Sequence, residues 1–288
     1  MSASRPLFRF VQVEYPWPLG PPDGRYLLRG PGDLDRSEPA HVLVLVTLGA
    51  HQRRGLARVR SRRKAHPEPA PTAVATGRAT VVDVGRPLRD EAEGKRWLSG
   101  AGEPELDAGI TVLNHALQAF RLVSADPHLH PVGRPQALVA RLGFGAGEQV
   151  AHGHWTDARE LIARRRRQPR ARVLEPQARL AAVLGGRDSV LISEELVLRA
   201  RVDVDQGSDR EAALQVLVAL DAALAELQID GDADVLADRL EELRGQREAI
   251  ARAAQSALAG PLPKADRETV EHTLDRIEAA LRARAASA

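Results

Sequence analysis

The chain has 288 residues, enough for two domains of ordinary size, and its 43% hydrophobic content belongs to a sequence that folds. Aromatic residues make up only 3% and cysteine is absent, so the core must be aliphatic and alanine-rich, and disulfides, thiolate nucleophiles and sulfur-bound zinc are excluded. Net charge is close to balance at +2 but is divided along the chain, with +10 over residues 1–172 and −8 over residues 173–288. Such a division marks either a nucleic-acid-binding half or two halves that attract one another.

Only three of the 41 basic residues are lysines (Lys64, Lys95, Lys264), and alanine, glycine and proline are abundant, as in proteins of GC-rich genomes, so an arginine run carries less information here than elsewhere. Met1 to Phe10 lacks an apolar stretch of signal-peptide length, and the longest apolar run, Val42 to Leu48, is far too short to span a bilayer. A cytoplasmic protein without membrane insertion is expected.

Leu7 to Tyr15 alternates as a strand, with Phe8 and Phe10 on one face and Val11, Val13 and Tyr15 on the other, so both faces are expected to be covered. Pro16, Pro18, Pro21 and Pro22 then forbid helix or a central strand, Trp17 reads as a plug over the sheet edge, and Asp23-Gly24 signals a turn into a short strand at Arg25 to Arg29. His41 to Leu48 reads as a buried strand ended by Gly49. Residues 52–71 follow as a flexible basic loop, with Arg53, Arg54, Arg58, Arg60, Arg62, Arg63 and Lys64 ahead of Pro67, Pro69 and Pro71. Thr76 to Val84 resumes the sheet, a loop holding Trp97 follows, and Glu105 to Ser124 carries Ile110, Leu113, Leu117 and Phe120 at helical spacing. Ala137 to Phe144 and Glu148 to Trp155 read as a strand pair turned through Gly145-Ala146-Gly147. That glycine cluster lacks the Lys-Ser/Thr of a phosphate loop and precedes a strand-like segment, so anion binding is not predicted there.

Arg164, Arg165, Arg166 and Arg167, with Arg170 and Arg172, form a basic junction around Pro169, and the domain boundary is placed near residue 170. The fold class expected is α+β: an antiparallel or mixed sheet with one main helix over 1–170, then a helical bundle over 171–288. In the second part, Pro176 suits a first helical turn and Gly185-Gly186 a helix end, with Asp188 available to cap the next helix. Leu236, Leu240, Leu243, Ile250, Ala254 and Ala257 follow an alternating three-and-four spacing interrupted by Arg247; Val270, Leu274, Ile277 and Leu281 repeat it. These last two segments are expected to pack antiparallel.

Between them, Val190 to Gln228 reads as two helices closed into a hairpin by Asp205-Gln206-Gly207. Gly207 can take the positive φ that ends the first helix, while Ser208 and Glu211 have the spacing of a capping box for the second. Ala200 and Ala212 are small enough to meet where the helices approach closest, with Leu196, Val216, Ala219 and Leu220 along the same seam. Over 193–226 this spacing resembles a tetratricopeptide repeat, a helix pair of about 34 residues with a small residue in the first helix, a turn glycine, then alanine, a bulky residue and alanine in the second. Arg199 and Asp203 stand where that family carries large apolar residues and Leu224 where its closing proline falls, and such repeats stack in about three or more copies. The resemblance implies a protein-binding surface; the spacing by itself fits a helical hairpin within an ordinary bundle.

Three functional expectations follow. The first is a non-catalytic interaction or scaffold protein, acting on a protein partner or on itself through the helical half, at Leu196, Ala200, Ala212, Val216 and Ala219. The second is nucleic-acid binding through the arginine clusters at 53–64 and 164–172, which contact phosphates by charge; the same runs also read as a solvated loop and junction. The third is a metal-dependent enzyme at the His-x-His pairs, with a divalent metal held by Asp126, His128, His130, His152 and His154, since residues two apart in extended backbone point to one face; His-x-His between glycine and proline is also common as exposed decoration. The second pair resembles a cupin motif but departs from its spacing at Gly147 and Glu160. No Gly-x-Ser-x-Gly, no His-Glu-x-x-His and no paired-carboxylate motif appears, and no other cofactor is indicated.

Overall fold

A computed structural model of the chain describes residues 6–29, 38–49, 74–161, 170–229 and 236–287. The fold is α+β as expected, an antiparallel sheet in the N-terminal part followed by helices, and packing divides the chain into units 1–165 and 166–288. The basic segment 52–71 and Arg164 to Arg167 lie outside the described residues.

The N-terminal unit is built on β1 (Leu7–Tyr15), β2 (Gly24–Leu28), β3 (His41–Leu48), β4 (Thr76–Leu88), β5 (Val139–Ala146) and β6 (Asp157–Glu160), in the order β2-β3-β4-β1-β5-β6. All neighbours pair antiparallel, which leaves period-2 alternation to sort the side chains between two faces. On one face Val11, Val13, Tyr15, Leu43, Val81, Leu142 and Phe144 are buried together with Leu106, Ile110, Leu113 and Leu117 of α2 (Glu103–Ser124). On the other, Phe10, Val42, Val44 and Val82 pack against Val150 and Ala151. Both faces of β1 are therefore covered, in keeping with its sequence. Trp17, expected to plug the sheet edge, is 38% exposed; its ring lies tilted against Tyr15 at 5.7 Å while its carbonyl accepts from the Gly77 N–H.

Three segments differ from the sequence reading. The stretch around Trp97 is not a loop but helix α1 (Glu91–Gly100), started by Asp90, whose carboxylate accepts from the Glu93 N–H. Gly94 interrupts its apolar pattern for a packing reason: a Cβ there would lie 2.6 Å from the Phe144 ring. Glu148 to Trp155 is not a strand either. β5 runs on through Gly145 and Ala146, Gly147 turns at φ +65°, and a 3-10 turn, Gly147–His152, crosses the sheet before β6 pairs with β5. Bare backbone at Gly145 permits this crossing, because a Cβ there would meet Val150 at 2.8 Å, while one on Gly143 would meet the Phe10 ring and the Asp157 carbonyl, each at 2.6 Å. Finally, the helix expected to start at Pro176 begins earlier, as α3 (Arg170–Leu184).

The C-terminal unit continues with α4 (Ile192–Asp205), α5 (Asp209–Ile229), α6 (Ala237–Ala259) and α7 (Lys264–Ser287). α5 is central and touches α4, α6 and α7. That position explains its nearly continuous apolar sequence, since a helix surrounded on several sides buries most of its circumference. Leu240, Leu243, Ile250, Ala254 and Ala257 of α6 and Val270, Leu274, Ile277 and Leu281 of α7 are all buried, as their spacing predicts. Arg247 breaks the α6 pattern to reach Asp221 of α5 at 2.7 Å.

Gly245 in α6 has open space where a Cβ would stand. Gly245→Ala should therefore stabilise the helical unit by about 1 kcal/mol through helix propensity alone, read as a higher urea midpoint of the helical circular dichroism signal.

Candidate functional site

The α4–α5 hairpin turns where its sequence places the turn. Gln206 ends α4, Gly207 takes φ +69°, and α5 begins at Asp209, directly after Ser208. Ala200, Ala212, Val216, Ala219 and Leu220 are fully buried in the seam between the helices and the rest of the bundle, with Leu196 partly buried against them. Small side chains at these points let the two backbones approach closely.

The start of α4 is held from outside its own sequence. Both carboxylate oxygens of Glu226 in α5 accept backbone hydrogen bonds, from Ile192 at 2.8 Å and Ser193 at 2.9 Å, and Glu194 accepts from Leu191 N–H at 3.1 Å. Arg179 of α3 then bridges Glu194 at 2.6 Å and Asp188 at 3.1 Å. Asp188, expected to cap α4, instead serves Arg179 and the Ser189 N–H, because Glu226 and Glu194 already occupy the cap. Burial acts to raise the Glu226 carboxyl, but hydrogen bonds from Ser193 and Ile192 and the charge of Arg284 hold it below the usual carboxylate range.

Further along, Arg201 of α4 bonds Glu278 at 2.8 Å and Asp275 at 2.5 Å on α7, and Asp209 at the start of α5 pairs with Arg267 at 3.2 Å. Burial raises the Asp205 carboxyl above its usual range, with Arg201 opposing. These pairs fix the hairpin on the bundle while leaving its outer side free of the core.

That outer side carries large apolar residues. Leu198 is 64% exposed and Val202 42%, one turn apart on α4; Leu214 is 37% exposed and Val218 53%, one turn apart on α5. The sequence reading selected the seam residues, which the bundle uses for its own packing, and passed over these four. Their signal was present in the spacing, an apolar pair at i and i+4 on each helix away from the buried positions.

The histidine pairs are not brought together. Asp126, His128 and His130 follow α2, where Asp126 Oδ1 accepts from the His128 N–H at 2.9 Å and the intervening Leu129 packs into the helix-side core. His152 and His154 belong to the segment whose Val150, Ala151 and Trp155 cover the opposite face. All five residues are exposed. Among the described residues no group of three or more His, Asp or Glu side chains is placed to hold a metal. The arginine clusters of the nucleic-acid reading, Arg53 to Lys64 and Arg164 to Arg167, lie outside the described residues.

A shallow depression between α2 and Leu129 to Pro131 and another beside Val204 and Arg267 enclose almost no space. No helix among the described residues is long and apolar enough to cross a membrane. No family model, curated protein or solved structure matches this chain.

Proposed function

We propose that the chain is a protein-interaction module that docks a protein partner on the outer side of the α4–α5 hairpin. The observation that carries the reading is the exposure of Leu198 and Val202 on α4 and of Leu214 and Val218 on α5, on a hairpin otherwise fixed by ion pairs and close helix contacts. Exposed apolar side chains on a rigid frame lower the entropy cost of docking an amphipathic segment. The likeness of 193–226 to a tetratricopeptide-type hairpin supports the same reading, with Ala200, Ala212 and Ala219 as its small contact residues and Gly207 as its turn. In this proposal the seam residues Leu196 and Val216 hold the hairpin together and the four exposed residues meet the partner.

The test compares proteins captured from nuclease-treated lysate by the wild type, by Leu198→Asp with Val218→Asp, and by Leu258→Asp, an exposed leucine on α6 at 60%. A defined set of proteins should be lost with the hairpin variant and kept with the α6 variant, both variants retaining the wild-type circular dichroism spectrum. Capture that survives the hairpin substitutions would overturn the proposal. Capture abolished by nuclease in the wild type would favour the nucleic-acid reading instead.

A further inference from the structure

No further inference is drawn: the strongest candidate, the side-chain cluster of half-buried His41, Asp83 and Arg9 aligned on β3, β4 and β1 at one end of the sheet, adjoins neither of the two depressions described and nothing in the structure shows what would occupy it.

Discussion

Gly109→Ala destabilises the N-terminal unit by about 2 kcal/mol, although alanine is the better helix former, because overpacking at this contact outweighs a propensity gain of about 1 kcal/mol. Gly109 is a buried residue of α2 set directly over Val11 of the central strand β1. A Cβ there would lie 2.6 Å from Val11 Cβ, 2.6 Å from Cγ2 and 2.7 Å from Cγ1. Since every side-chain carbon of Val11 is in the way and a β-branched side chain has little χ1 freedom, no rotamer change relieves the overlap and α2 must lift from the sheet. All three tryptophans, Trp17, Trp97 and Trp155, belong to this unit, so urea unfolding followed by their fluorescence reads it selectively. The double variant Gly109→Ala, Val11→Ala removes the two γ-carbons in the way and should recover part of the loss, a coupling expected of residues in contact. A Gly109→Ala midpoint equal to the wild type would show that the close approach does not exist.

The second large effect is expected at Glu226. Glu226→Ala removes the acceptor for two backbone N–H groups at the start of α4, and by the usual worth of an N-terminal cap this should cost about 2 kcal/mol in the helical unit. Glu226→Gln keeps one acceptor oxygen without the charge and should fall between alanine and wild type. The pH dependence has a definite sign. A carboxyl held below its unfolded value binds its proton more weakly in the folded state, so its contribution is complete above the unfolded carboxylate pKa and is lost as pH falls through the lower, folded value. The difference between wild type and Glu226→Gln should therefore shrink on acidification through the carboxylate range, measured as urea midpoints of the helical signal. A difference that is constant with pH would mean that Glu226 does not act through its charge at the α4 terminus.

Much of the fold was legible in the sequence where one local rule governed. β1 and β3 follow from alternation and from a continuous valine and leucine run, with bounds that agree with the observed strands. The hairpin turn follows from Gly207, and α6 and α7 from their spacing of apolar residues. Where the reading missed, a glycine was serving a distant neighbour. Gly94, in the stretch read as a loop, is a helix contact with Phe144; Gly145, read as part of a turn, lies in β5 against Val150 of the 3-10 turn. No count of local propensity can register a ring supplied from about 50 residues away along the chain.

The candidate site divides in the same way. The seam residues Ala200, Ala212, Val216 and Ala219 were legible because burial inside a hairpin leaves a periodic trace. The capping of α4 by Glu226 was not, since a helix terminus held by another helix has no sequence spacing to read. Nor could two His-x-His pairs of identical form be sorted to opposite faces of a sheet before the chain between them had been traced. The sequence by itself determined the α+β class, the alanine-rich helical half and the position of the hairpin turn, because each rests on neighbours within a few residues. Only the tertiary structure decided which glycines are contacts, which carboxylate caps α4, and which apolar residues of α4 and α5 remain outside the core, because each depends on what lies across the fold.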